Sequence, residues 1–178
     1  HKTSVAYENM LVSALLRAKE LASKGVELFA SPALKFFLYN DINRERFKSD
    51  PKCLENFILL DDNDIWTALK VWCNHNDIIL ATLSQGMVNR EIFKVEVSPT
   101  PCTEERLNTI SERIAKQLHI SKEDTRYFIS TPSIEKNMYN PADDSIDILY
   151  NDGSTTNIAE ASDMLHLSVL SKKVKKYY

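Results

Sequence analysis

The sequence predicts an α+β chain: a helical first half over residues 1–88, then a ferredoxin-like βαββαβ lobe over residues 89–178. Three observations predict it. Apolar residues recur at helical spacing from the opening residues to Met87. Phe93, Val95 and Val97 then alternate at period two. Ile146, Ile148 and Tyr150 alternate again, ahead of Asn151-Asp152-Gly153-Ser154, a hairpin-turn sequence in which the glycine accepts positive φ.

The elements follow in order. From Ser4 to Lys24 the stripe Tyr7, Leu11, Ala14, Ala18 and Leu21, widened by Met10 and Leu15, predicts one long helix that Gly25 ends. Ser31-Pro32 restarts a helix through Ala33, Leu34, Phe36, Phe37 and Leu38, because proline's missing N–H costs nothing in a first turn. Residues 40–52 are polar and rich in breakers, and read as an exposed loop. Asp62 or Asn63 can accept from the free N–H groups of the next helix, whose face carries Ile65, Leu69 and Trp72. Asn74-His75-Asn76 interrupts it, and Asp77 starts another helix with Ile78, Ile79, Leu83 and Met87. Gly86, near its end, suits a left-handed exit.

After the strand through Val97, Pro99 and Pro101 stop the ladder. Thr103 caps a helix with Glu104 and Glu105 in its positive first turn and Leu107, Ile110, Ile114 and Leu118 on its buried face. Tyr127–Ser130 reads as a strand, 159–170 as a short helix and 173–178 as a closing strand. That order is what a split βαβ sandwich requires.

Composition narrows the function classes. The chain has 178 residues, 43% of them hydrophobic, enough to bury one ordinary core or two small ones. With Gly 3 and Pro 6 it offers no linker or low-complexity segment. A formal net charge of -3 supplies no general pull towards nucleic acid or an anionic membrane, so neither is an expected partner. Three cysteines without a CxxC pair suggest neither a zinc ribbon nor a disulfide framework, and no apolar run reaches the length of a membrane span. A cytoplasmic location is expected. The chain opens His-Lys-Thr straight into a helical pattern, so a piece of a longer protein is expected too.

Chemistry-bearing residues are few. No histidine stands three or four positions from another, and no HExxH, His-Asp dipeptide, glycine-rich phosphate loop or GxSxG occurs. His75 in an interhelical turn reads as a capping residue ahead of a metal ligand, and His119 as a cation at a helix end. Asp61-Asp62 and Asp143-Asp144 read as a helix start and a turn. No catalytic site and no metal site can be assembled from these residues. Two basic groupings remain: Lys172 to Lys176 with Tyr177 and Tyr178, and the pair Arg90 and Lys94. Four residues apart on a strand, Arg90 and Lys94 would share a face and could converge on one polyanion; an ordinary exposed sheet face is the alternative.

The opening HKTSVAYENMLVSALLRAKEL, the stretch LDDNDIWTALKVW and the element Arg90-Glu91-Ile92-Phe93-Lys94 together resemble the region after the catalytic core of HD-superfamily phosphohydrolases, nearest to the dNTP triphosphohydrolase branch, and a bacterial-type parent is expected. The resemblance covers about 1–24 and 60–97. It implies that the helical half continues an HD-type bundle and that a divalent metal is held by residues upstream of this chain. It also implies that the chain is a catalytically silent C-terminal accessory and regulatory part of a parent hydrolysing dNTPs or a related phosphate ester. In nucleotide-regulated members this element contacts phosphates of an activating nucleotide at a subunit interface. Carried over, that nominates Arg90, Lys94, Lys2 and His1 for phosphate binding. The implied partners are the upstream HD domain, a dNTP or GTP, and further copies in a homo-oligomer. The alternatives are a stand-alone ferredoxin-like module binding RNA or a small ligand, and a purely structural oligomerisation element.

Overall fold

Seven α-helices and two short antiparallel ladders make up the computed structural model, which describes residues 2–136, 146–158 and 174–177. The helices are α1 (Lys2–Ser23), α2 (Pro32–Tyr39), α3 (Arg44–Ser49), α4 (Pro51–Leu59), α5 (Asp62–Trp72), α6 (Ile78–Val88) and α7 (Glu104–Leu118); a 3-10 helix, Glu123–Tyr127, follows. Among the described residues no helix is long and apolar enough to cross a membrane. The chain divides into two compact units, 1–96 with 103–130 and 97–102 with 131–178.

In the larger unit, α1 and α6 run antiparallel. Tyr7 donates its hydroxyl to the Met87 carbonyl at 2.7 Å near one end of the seam, and Arg17 clasps Asp77 at the other. Between them lie Met10, Ala14, Leu80 and Leu83, all fully buried, with Leu69 and Trp72 of α5 packed into the same core. Each large side chain buried there stabilises the unit by roughly 1.5–3 kcal/mol relative to exposure. Trp72 satisfies its indole N–H on the Phe29 carbonyl at 3.0 Å, which ties the loop before α2 to α5.

Helix starts follow side-chain chemistry. Ser31 caps α2 with Pro32 at its first position, Asp77 caps α6 and Thr103 caps α7, as the sequence predicts. For α5 the cap is Asp61, one residue before the expected Asp62 or Asn63: it accepts from the backbone of Asn63 and Asp64, and Asp64 answers on the Asp61 N–H, a closed capping box. The expected loop over 40–52 holds α3 and the start of α4. Asn43 caps the first, and Asp50 caps the second ahead of Pro51. Breaker residues here separate two short helices instead of preventing them.

Gly86 is not the left-handed exit of α6. It lies inside the helix, where a Cβ would stand 2.8 Å from Met10 Cε and 3.1 Å from the Glu91 carbonyl oxygen, so it is small because α1 and the returning chain press close. Arg90 makes the exit instead, at φ 62, with its N–H on the Met87 carbonyl and the Glu91 N–H on the Gly86 carbonyl. These two bonds are the Schellman pair.

Beyond α6 the expected strand over 93–97 does not form a ladder. Burial alternates as expected, with Phe93, Val95 and Val97 half-buried and Lys94 and Glu96 exposed. The Phe93 N–H, however, is held at 3.4 Å by the sulfur of Met10 in place of a strand partner. Tyr127–Ser130 is likewise no strand. Ser121 and Thr125 hydroxyls bond to neighbouring backbone and draw the segment into the 3-10 turn, with Tyr127 buried against the helical core. Ile92, Phe93, Ile120 and Phe128 also pack on that core, so α7 and the 3-10 helix belong with the helical unit and not beyond a boundary at residue 88.

In the smaller unit, β1 (Ser133–Lys136) pairs antiparallel with β4 (Val174–Tyr177), and Ser98 and Tyr177 exchange two backbone bonds of 3.0 Å. The expected hairpin is present: β2 (Asp147–Leu149) pairs with β3 (Thr155–Asn157), and Gly153 takes φ +85 in its turn. Among the described residues these are separate two-stranded ladders; a single four-stranded ferredoxin-like sheet is not what they form. The expected helix over 159–170 lies outside the described residues.

Candidate functional site

Helix α6 ends where the chain must turn back over α1, and the candidate basic residues sit at this end. Arg90 occupies the left-handed position with an exposed side chain. Lys94, four residues on, is also exposed and pairs with Glu96 at 3.3 Å. Arg90 and Lys94 therefore do not share a strand face; a helix exit and a half-extended segment carry them. The Schellman bonds, the Met10 contact to the Phe93 N–H, and the tilted stacking of Phe93 on Phe128 at 5.8 Å fix that segment on the helical unit.

Lys2 is the first residue of α1 and is exposed. Its position follows from the seam. With Tyr7 facing Met87 and Arg17 facing Asp77, the antiparallel register carries the start of α1 to the level of the residues just beyond α6. Lys2 and Arg90 thus stand at the same end of the helix pair, and the structure records no direct bond between them. His1 lies outside the described residues.

One charged residue at this place was not nominated from the sequence. Arg106, on the first turn of α7, donates to Glu96 at 2.5 Å, so a single carboxylate holds both Arg106 and Lys94. The Lys94 hydrogen bond and then the charge of Arg106 keep the Glu96 carboxyl below its usual range. Only the spacing of Glu96 from Lys94 hinted at this; nothing local in the sequence foretold that α7 would fold back beside it.

A second charged cluster lies at the far end of the α1–α6 seam. Buried Arg17 reaches Asp77 at 2.6 and 3.1 Å, Glu20 at 3.4 Å and Asp124 at 3.5 Å, with its guanidinium 5.5 Å from the centre of the Tyr127 ring. Burial alone would raise the Asp77 carboxyl; the Arg17 hydrogen bond and the Leu80 N–H outweigh it and hold it low. Glu20 falls to about 2 through Lys24, the Tyr127 hydroxyl and the charge of Arg17. His75, whose Nδ1 accepts the Asp77 N–H at 3.0 Å, is part of the α6 start, in keeping with the capping reading. This network ties α1, α6 and the 3-10 helix together.

Two surface hollows are formed by other described residues. One of about 410 Å³ is lined by Ile42, Asn43, Arg44, Phe47 and Lys48, another of about 250 Å³ by Phe29, Ser31, Asn63, Asp64 and Thr67. Neither includes a nominated residue. The resemblance implies a divalent metal, and among the described residues no group of three or more His, Cys, Asp or Glu side chains could hold one. No metal-dependent step is therefore assigned to them.

The chain matches no family model and no curated protein. It is similar to a phosphohydrolase from Bacteroides thetaiotaomicron whose crystal structure is known. The two are 70% identical with a TM-score of 0.92, over 99% of this chain and 44% of that one. The chain thus spans less than half the length of that phosphohydrolase, and its likeness is to a protein of phosphohydrolase type.

Proposed function

We propose that this chain works as the C-terminal accessory and regulatory part of a metal-dependent HD-type phosphohydrolase acting on dNTPs or a related phosphate ester. The helical unit continues the parent's bundle. Arg90 and Lys94, assisted by Lys2 and His1, bind the phosphates of a regulatory dNTP or GTP at an interface between copies of the protein. The observation that carries this reading is the 70% identity to a phosphohydrolase over nearly the whole of this chain and less than half of that one. The exposed cations at the end of α6 support the phosphate role: both side chains are open to solvent on a backbone held by packing. A guanidinium offers two parallel donors to one phosphate, and an ammonium adds a point charge.

Calorimetry of the chain with a dNTP and GTP panel, comparing wild type with Arg90→Ala/Lys94→Ala, tests it. Binding that the double substitution abolishes is the expected result. Equal binding by both proteins would overturn the assignment of these two residues.

A further inference from the structure

We infer that Glu96 holds an oxyanion position which a ligand phosphate competes for, and that Arg106 is a third phosphate-binding residue beside Lys94. The inference rests on the phosphate-binding reading above and adds a regulator to it. Its basis is the way two cations meet one carboxylate. Lys94 Nζ lies 3.3 Å from Glu96 Oε1, and Arg106 Nη2 lies 2.5 Å from Oε2. Each cation takes its own oxygen, and the O–O separation of a carboxylate is close to the edge of a phosphate. The pair is thus already spaced to grip a single small oxyanion.

Charge and exposure point the same way. Lys94 and Arg106 bring two positive charges against the one negative charge of Glu96, which leaves an excess for an anion richer in charge. The side chains are 86%, 57% and 51% exposed for Lys94, Arg106 and Glu96, so a ligand reaches all three. Ion pairs this open are individually weak, and a polyphosphate carrying several charges out-competes one carboxylate. Arg106 is presented from an ordered helix start, since the Thr103 hydroxyl accepts its backbone N–H at 3.4 Å. Glu96 thereby sets a threshold: displacing it lowers the apparent affinity of every anion by the same factor, so only an anion that both cations grip tightly, such as one with consecutive phosphates, binds at low concentration.

Isothermal titration of the 178-residue chain with inorganic tripolyphosphate tests this, using wild type, Glu96→Gln, Arg106→Ala, Lys94→Ala and a control, Glu91→Gln. The control removes one nearby exposed negative charge that pairs with neither cation. Far-UV circular dichroism checks that each variant keeps its helices. Glu96→Gln is expected to tighten binding by about three- to tenfold and Arg106→Ala to weaken it by a similar factor, with Glu91→Gln near wild type. Binding visible in Glu96→Gln alone supports the inference as well. If Lys94→Ala weakens binding while Glu96→Gln and Arg106→Ala do not alter it, the inference fails and the phosphate site stands. If Lys94→Ala leaves binding unchanged, or if neither wild type nor Glu96→Gln binds, both fail. Equal tightening by Glu91→Gln would reduce the effect to general charge and overturn the role of Glu96.

Discussion

At Arg90, an L-residue in the left-handed region is held by the two Schellman bonds and by the packing of Ile92 and Phe93 that follows. Such a conformation costs a residue with a Cβ on the order of 1–2 kcal/mol, which glycine avoids. Glycine also raises the entropy of the unfolded chain, so the two effects partly offset. Arg90→Gly is therefore expected to leave the urea-unfolding free energy unchanged or raise it by up to about 1 kcal/mol, while Arg90→Val lowers it by about 1–2 kcal/mol. A clear loss of stability in Arg90→Gly would show that the guanidinium, not the backbone, holds the turn. The position was not legible as an exit, because arginine carries no left-handed preference and Gly86, four residues earlier, does. Glycine there answers a different demand, the close approach of Met10.

For the elements, the Arg17 network decides how α1, α6 and the 3-10 helix respond to acid. Glu20 titrates near 4.5 when unfolded and at about 2 when folded, so its contribution is fully present above about pH 5 and is lost as pH falls towards 2. Arg17 is raised well above its ordinary value, chiefly by its hydrogen bond to Asp77, and stays charged throughout. Glu20→Gln should therefore cost about 1–3 kcal/mol at pH 7 and flatten the decline in stability between pH 5 and pH 2. Urea titrations at pH 7, 5, 4 and 3 measure both. A parallel decline in wild type and variant would mean that other carboxylates dominate. Caps and apolar stripes made most of these helices legible: Ser31-Pro32, Asp77 and Thr103 are local signals and the structure follows them. The network itself was hidden, since Arg17, Asp77 and Asp124 are far apart in sequence and meet through packing. The strand expected at 93–97 failed for the same reason in reverse. Alternation marks a half-buried extended chain, but a ladder needs a partner that only the rest of the fold can supply.

For the whole molecule, one residue boundary in the sequence could not describe a chain whose two units are each assembled from non-adjacent stretches. The mix of helices with short strands was legible in the sequence; the ferredoxin-like lobe expected from it was not what the described strands form, and the membership of α7 was hidden, because its amphipathic face says that it packs without saying on what. The same limit applies to the candidate site: Arg90 and Lys94 were nominated through resemblance, and Arg106 emerges only when α7 is in place. The proposed accessory role carries an expectation at this scale. Incubated with dNTPs and either Mg²⁺ or Mn²⁺, the 178-residue chain should release neither nucleoside nor triphosphate, as followed by liquid chromatography. Turnover that purifies with the chain would overturn the accessory role.

The seam between α1 and α6 has one more consequence. Hydrogen bonds and an ion pair near its two ends, with Gly86 admitting Met10 between them, leave no room for a slip of one helical turn, which would be about 5.4 Å. On the proposed phosphate-binding reading, the backbone of residues 90–93 is thereby already set when an anion arrives. A ligand meeting it gives up its own freedom but has little of the protein's to remove. Encounter with this end of the molecule is then governed by diffusion and charge, with no folding step to wait for.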